Sequence, residues 1–363
     1  MVNARRVVFR ADASLHIGTG HVMRCLTLAD GLRKMGFENH FLCRVHNGHL
    51  CDLIEDRGYS VSRLPTGTRE VGDGAKPYVG WLGSTWEEDA EQCRAAIALL
   101  SAKPELLIVD HYALDGRWEH ALRPLVPRIL VIDDLADRSH DCDLVLDQNL
   151  HDCPESRYAH LVGPDTRVFV GPRYALLRPE FNAFPVRTRE RLDRMLVYFG
   201  GADPANQALQ VMRALRELAT EAPEADFVLG PTNANARSVH EASRGMAGVC
   251  IIPVTDRMAQ LMSDADLGIG TCGGAAWERC VLGLPSLVVV SAENQRDDAR
   301  ILHQLGAVLN LGDAATVGMD CWVNAIRSIR NDPESLKKMS RAATAVMQGR
   351  RDVVGELAAA LFS

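Results

Sequence analysis

The sequence predicts an α/β protein made of two doubly wound parallel sheets, each covered by helices on both faces. Its length, its strand composition and a proline-marked break near the middle carry that expectation. At 363 residues the chain is long for one compact domain, and two domains of ordinary size are the natural prior. Short, continuous Val/Ile/Leu runs alternate with segments of helical period, the pattern of strands buried on both faces. The break is Arg178-Pro179-Glu180-Phe181-Asn182-Ala183-Phe184-Pro185, where two prolines interrupt regular structure and charged residues follow.

In the first half the strand candidates are Arg6–Phe9, Leu106–Val109, Ile129–Ile132 and Leu144–Leu146. The second half offers Met195–Phe199, Phe227–Leu229, Val249–Ile252, Leu267–Ile269 and Leu287–Val290. A last helical segment, Asp352 to Leu361, is expected to pack back on the first domain. The expected division is 1–180 for an N-terminal domain, 186–345 for a C-terminal domain, and 346–363 for the closing helix.

Composition removes several classes of function. The chain is 47% hydrophobic and 24% charged with a net charge of -7, and it carries no sustained basic stripe, so a nucleic-acid partner is not expected. The longest apolar runs, such as Leu284 to Val290, are too short to span a bilayer, and Val7-Val8-Phe9 reads as a strand instead of a targeting segment. Ten cysteines without a Cys-x-x-Cys pair indicate reduced thiols in a cytoplasmic protein. His16, His46, His49 and His151 read as loop or surface histidines, so neither a metal nor a cofactor is expected, and a monomer is favoured.

Open α/β sheets bind ligands at the carboxyl ends of strands, so the chemistry is sought in the loops that enter helices. The first such loop runs from Arg10 through Asp12 to Ile17-Gly18-Thr19-Gly20-His21. Gly18 and Gly20 permit tight turning and close backbone approach to a ligand. His21 stands at a helix entrance, where the positive end of the dipole disfavours its charged form and leaves a neutral imidazole able to accept a proton from water. On spacing alone His21 reads equally as a base or as a residue that caps the helix.

In the second half, Gly200-Gly201-Ala202-Asp203-Pro204 follows a strand, with Asp203 placed as N-cap and Pro204 at the first helical position. Its amides suit a phosphate. A stronger signal is Gly270-Thr271-Cys272-Gly273-Gly274-Ala275-Ala276-Trp277-Glu278, where Gly273 and Gly274 sit at a helix start fit for a diphosphate. Glu278, one turn on, is placed to accept hydrogen bonds from ribose hydroxyls. It reads equally as an acidic first turn that complements the dipole and needs no ligand. Glu293-Asn294-Gln295 follows the next strand.

These loops, with Asp110-His111-Tyr112, Ile132-Asp133-Asp134-Leu135, Cys142-Asp143-Leu144-Val145-Leu146-Asp147-Gln148-Asn149, Gly171 to Phe181 and Trp277-Glu278-Arg279-Cys280, form one ordered set. The set resembles the UDP-2,4-diacetamido-2,4,6-trideoxy-beta-L-altropyranose hydrolases of pseudaminic acid biosynthesis, from about Arg6 to about Asn310. That family is related to MurG-type glycosyltransferases. The resemblance implies a GT-B-like fold, two Rossmann-like doubly wound domains facing a central cleft, with UDP mainly on the C-terminal domain. It implies His21 as the base that activates water at the anomeric carbon, with inversion and release of UDP, and a sugar destined for flagellin or surface polysaccharide. It places Tyr112, Asn294 and Gln295 in the sugar pocket with Asp12, Gly18 and Gly20, and Gly200, Gly201, Gly273, Gly274 and Glu278 on UDP. One departure is that Ala275-Ala276 stand where the family pattern carries hydroxyl residues. A glycosyltransferase of the same fold and a non-catalytic nucleotide-sugar binder remain the alternatives.

Overall fold

A computed structural model describes residues 5–67, 77–230, 232–253, 255–350 and 352–362. They form two compact units. The first takes in the chain up to Asn149, Cys153–Leu176 and the segment after Arg350; the second takes in Leu150–Asp152 and Leu177–Arg350.

In the first unit, strands β1 (Arg5–Ala11), β2 (Phe37–Arg44), β3 (Ser60–Leu64), β4 (Leu106–Asp110), β5 (Ile129–Ile132), β6 (Leu144–Asp147) and β7 (Arg167–Val170) make one sheet in the order β3-β2-β1-β4-β5-β6-β7. Every pairing is parallel. Both faces are apolar because successive residues alternate between two cores. Val7, Phe9, Leu106 and Ile108 pack on one side, and Val8, Leu107 and Val109 on the other. The C-terminal helix Val353–Phe362 belongs to the first of these cores through Val353, Leu357 and Leu361. Gly31 of the helix Gly20–Lys34 lies so close to Val354 that an added methyl would come within 2.7 Å of it.

The second unit repeats the plan. Strands β8 (Arg194–Tyr198), β9 (Glu224–Val228), β10 (Val249–Ile252), β11 (Leu267–Thr271), β12 (Ser286–Val290) and β13 (Val308–Asp313) run parallel in the order β10-β9-β8-β11-β12-β13. Glycine at 268 and 270 of β11 makes room for Arg279, whose side chain lies against the strand, and Gly270 also abuts the Tyr198 carbonyl oxygen. Gly270→Ala would drive a methyl into that backbone oxygen. We expect it to destabilise the protein by roughly 3 kcal/mol in denaturant unfolding, and an unchanged midpoint would contradict the crowding.

Four strands, β2, β3, β7 and β13, escape the sequence reading. β3, β7 and β13 are sheet edges, exposed enough to carry Ser60, Ser62 and Arg63, or Arg167, in place of a continuous apolar run. β2 interposes Glu38-Asn39-His40 between Phe37 and its buried Phe41-Leu42-Cys43. Each sheet reverses its winding once, between β1 and β4 and between β8 and β11. Loops leaving those strands flank the switch points, where such folds bind ligands.

Candidate active site

In the first unit, Ala11 at the end of β1 pairs with Asp110 at the end of β4, and the chain diverges from there. Residues 12–19 fold into a tight turn. The Gly18 amide donates to the Ser14 carbonyl at 2.9 Å, and Ser14 Oγ accepts from the His16 and Ile17 amides at 3.1 and 2.9 Å. Gly18 has φ +80, which requires glycine. Gly20 has no such constraint, and a methyl there would meet nothing within 4 Å, so its smallness leaves open space.

His21 is the second residue of the helix Gly20–Lys34 and is buried. Its Nδ1 lies 2.6 Å from Asp110 Oδ1. Arg24, one turn on, donates from Nε to Asp110 Oδ2 and from Nη2 to Oδ1, both at 2.6 Å. Burial pushes the Asp110 carboxyl up, but the Arg24 guanidinium and His21 more than offset it and hold it below the usual range. An ionised carboxylate can only accept, so Nδ1 carries the proton and donates it. Nε2 is then the basic nitrogen. His21 stands in the first turn of its helix, as expected, and the fold adds a carboxylate beside its Nδ1. The nearest charge is a carboxylate, which stabilises the imidazolium once a proton is taken up.

Tyr112 meets the imidazole edge to face, with ring centres 4.6 Å apart at 82°. Trp81 stacks on Tyr112 at 5.7 Å and lies 6.3 Å from His21. Tyr78 packs against both and donates its hydroxyl to Asp137. Burial and the nearby Asp134 raise the Tyr112 phenol well above its ordinary value, so it remains a neutral hydroxyl. Two aromatic rings therefore wall the base, with Tyr78 packed behind them.

Asp12 does not fit the expectation that it meets substrate. It is fully buried, gripped by Arg10 Nη1 and Nη2 at 2.6 and 2.9 Å and by the Arg44 amide at 2.7 Å. His111 and His46 approach its other side at 3.4 and 3.6 Å. Arg10 and Arg44 also pair with buried Asp89, at 2.6 and 2.5 Å. This ion network underlies the His21 loop and anchors it, and His46, a loop residue as expected, reaches it from its partly exposed position.

The second unit holds the other expected loops. Gly200 has φ +86, and the Gly201 carbonyl accepts from the Thr232 amide and hydroxyl at 3.1 and 2.9 Å. The helix expected at Pro204 begins at Gln207. Asp203 accepts from the Gln207 and Ala208 amides at 2.8 and 2.9 Å, so the protein's own carboxylate already occupies that helix start. What is left there for a phosphate is the glycine turn itself.

After β11, Cys272-Gly273-Gly274 leads into the helix Ala275–Val281. Gln295 stands beside this turn, its Nε2 3.6 Å from where a Gly273 methyl would be. Its Oε1 accepts from the Ser291 amide and hydroxyl at 3.3 and 3.2 Å, while Asn294 is exposed on the turn Glu293–Gln295. Glu278 is partly buried and paired with Arg178, whose Nε and Nη2 both reach Oε1, at 3.3 and 3.2 Å. Gly18, His21 and Tyr112 thus gather in the first unit, and Gly273, Gln295 and Glu278 belong to the second.

Sequence reasoning missed Asp110 as the partner of His21, and with it Arg24, Trp81, Tyr78 and Arg178. Arg24 carried a signal, because three residues from His21 it shares that helix face. The others meet their partners across 31 to 100 residues or more by folding alone, for example 89 between His21 and Asp110 and 100 between Arg178 and Glu278.

Comparison with known proteins defines the class. Residues 195–354 match the glycosyltransferase family 28 C-terminal domain. The crystal structure of MurG from Acinetobacter baumannii superposes with a TM-score of 0.64, at 17% identity, over 98% of this chain and 99% of that one. The chain thus has the two-domain, Rossmann-like GT-B fold.

Two relatives narrow the comparison. The chain is 26% identical to the UDP-2,4-diacetamido-2,4,6-trideoxy-beta-L-altropyranose hydrolase of Campylobacter jejuni, over 83% of this chain and 97% of that protein. It is 25% identical to an uncharacterized protein of Methanocaldococcus jannaschii over 80% of this chain, and spans only 57% of that protein's length. The hydrolase relative, the family 28 match and the GT-B neighbours support a nucleotide-sugar-related protein of GT-B fold. Among the described residues, no helix is long and apolar enough to cross a membrane.

Proposed function

We propose that this protein hydrolyses a UDP-sugar by attack of water at the anomeric carbon, with inversion. The observation that carries the reading is the His21–Asp110 pair at 2.6 Å, which leaves Nε2 as a base with its tautomer set. Nε2 takes a proton from water as the water oxygen bonds to the anomeric carbon. The carbon–oxygen bond to UDP breaks on the opposite side, and UDP leaves with the electron pair. The imidazolium, stabilised by Asp110, then returns its proton to solvent. Base catalysis of this kind contributes about a hundred- to ten-thousandfold.

In this reading the second unit binds the nucleotide. Amides of Gly200-Gly201 and Gly273-Gly274 meet the diphosphate, Glu278 accepts from the ribose, and Asn294 and Gln295 contact the sugar. The aromatic wall of Trp81 and Tyr112, backed by Tyr78, offers an apolar face to a deoxygenated or N-acetylated sugar. The Campylobacter relative, matched over nearly its whole length, favours a UDP-2,4-diacetamido-2,4,6-trideoxyhexose and a place in pseudaminic acid biosynthesis. A glycosyltransferase is the second reading, since the family 28 match fits it and the same base would deprotonate an acceptor hydroxyl.

Candidate UDP-sugars supplied without acceptor separate the two. Release of UDP with an inverted free sugar, followed by NMR, is the expected result, and strict dependence on an acceptor would sink hydrolysis. In oxygen-18 water the label is expected in the sugar; label in UDP would overturn attack at carbon. Glu278→Ala should raise the dissociation constant for UDP about tenfold, as loss of a hydrogen bond to a charged group does. An unchanged constant would remove Glu278 from the ribose.

A further inference from the structure

We infer that Arg178 is a positioning residue for the nucleotide: it pins one oxygen of Glu278, so that the other is presented to the ribose diol. The inference rests on the proposed nucleotide site and adds a residue to it. Arg178 lies at the start of the turn Pro179–Asn182, outside the glycine loops.

Three contacts immobilise its guanidinium. Nε and Nη2 converge on Glu278 Oε1, Nη1 reaches Glu180 Oε1 at 3.0 Å, and the group lies 5.1 Å from the Phe181 ring centre. Glu278 Oε2 receives no hydrogen bond among the described residues. A carboxylate with one oxygen held and the other open suits a pair of vicinal hydroxyls, because its aim is set before the ligand arrives.

The charges around Glu278 make the arrangement consequential. Burial drives the Glu278 carboxyl up, and the Arg178 guanidinium opposes that rise. Arg279 on the same helix lowers it further, while Glu180 raises it, and Tyr198 on β8 faces it as a neutral phenol raised by burial. Arg279 is itself buried and already donates to the Thr271 carbonyl at 2.6 Å. Removing Arg178 therefore leaves a half-buried carboxylate whose proton affinity moves toward neutrality.

The test is calorimetric binding of UDP, and of uridine, to the full chain and to Arg178→Met, Arg178→Lys, Glu278→Gln and the double variant Arg178→Met/Glu278→Gln. We expect Arg178→Met to weaken UDP about tenfold at neutral pH, and its loss relative to wild type to grow as the pH falls toward about 6 instead of keeping a flat profile. Uridine, which carries the same ribose, should weaken in parallel, and Arg178→Lys should restore the wild-type profile. In the Glu278→Gln background, Arg178→Met should cost nothing more, since its effect passes through Glu278.

An equal loss in both backgrounds would overturn the positioning role, as would a wild-type pH profile for a folded Arg178→Met. If Glu278→Gln weakens UDP and Arg178→Met does not, Arg178 alone falls. If wild type binds neither UDP nor uridine, the nucleotide reading fails and the inference falls with it.

Discussion

His21→Ala is expected to lower turnover by about a hundred- to ten-thousandfold while leaving UDP affinity unchanged. The size follows from what the imidazole does: it alone accepts the proton of the attacking water in this reading. The insensitivity of UDP affinity follows from its assigned role, since none of the contacts assigned to the nucleotide is made by His21. Burial of His21 against Tyr112 makes a stability control necessary, because alanine also removes an aromatic contact. Thermal unfolding should show the variant folded at the assay temperature. Turnover within a few-fold of wild type in a folded variant would take His21 out of the mechanism.

Asp110→Asn should cost nearly as much, and for two separable reasons. The carboxylate now accepts from His21 and twice from Arg24. An asparagine has one acceptor oxygen, so it either turns its amide group toward His21, reversing the tautomer, or leaves Arg24 underpaired. Loss of the negative charge also removes what stabilises the imidazolium, so a fall of at least about a hundredfold in turnover is expected. Breaking a buried pair from one side additionally destabilises by about 3–5 kcal/mol.

The sign with pH follows from the direction of the Asp110 shift. The folded carboxyl binds its proton more weakly than the unfolded chain does. Its pairing therefore stabilises the protein above the ordinary aspartate range near pH 4, and this is lost as pH falls through that range and below it. Asp110→Asn should accordingly narrow the gap in stability between neutral and acid solution. A folded variant with wild-type turnover and an unchanged acid limb would refute the pairing as functional.

Periodicity exposed the sheet interiors well and their margins poorly. Buried parallel strands such as Leu106-Leu107-Ile108-Val109-Asp110 must be apolar on both faces, which makes them legible. β3 and β7 are paired on one side only and half solvated, so Ser60-Val61-Ser62-Arg63 looks like a loop until the sheet is seen. Glycine turns were legible because conformation demands them, as at Gly18 and Gly200 with their positive φ. Asp12 looked solvent-facing because the burial of its neighbour Arg10, which also pairs with Asp89 79 positions on, is set by the fold and not by local spacing.

By itself the amino-acid sequence determined the α/β class, the two-sheet plan, the loops that enter helices, and the presence of His21 at one of them. Those features are local, written in apolar runs, glycines and caps within a few residues of one another. Tertiary structure alone decided that Asp110 pairs with both His21 and Arg24, that Trp81 and Tyr112 wall the imidazole, that Asp12 belongs to a buried ion network, and that Arg178 holds Glu278. The His21–Asp110 and Arg178–Glu278 pairings join residues 89 and 100 positions apart, which no local spacing brings together.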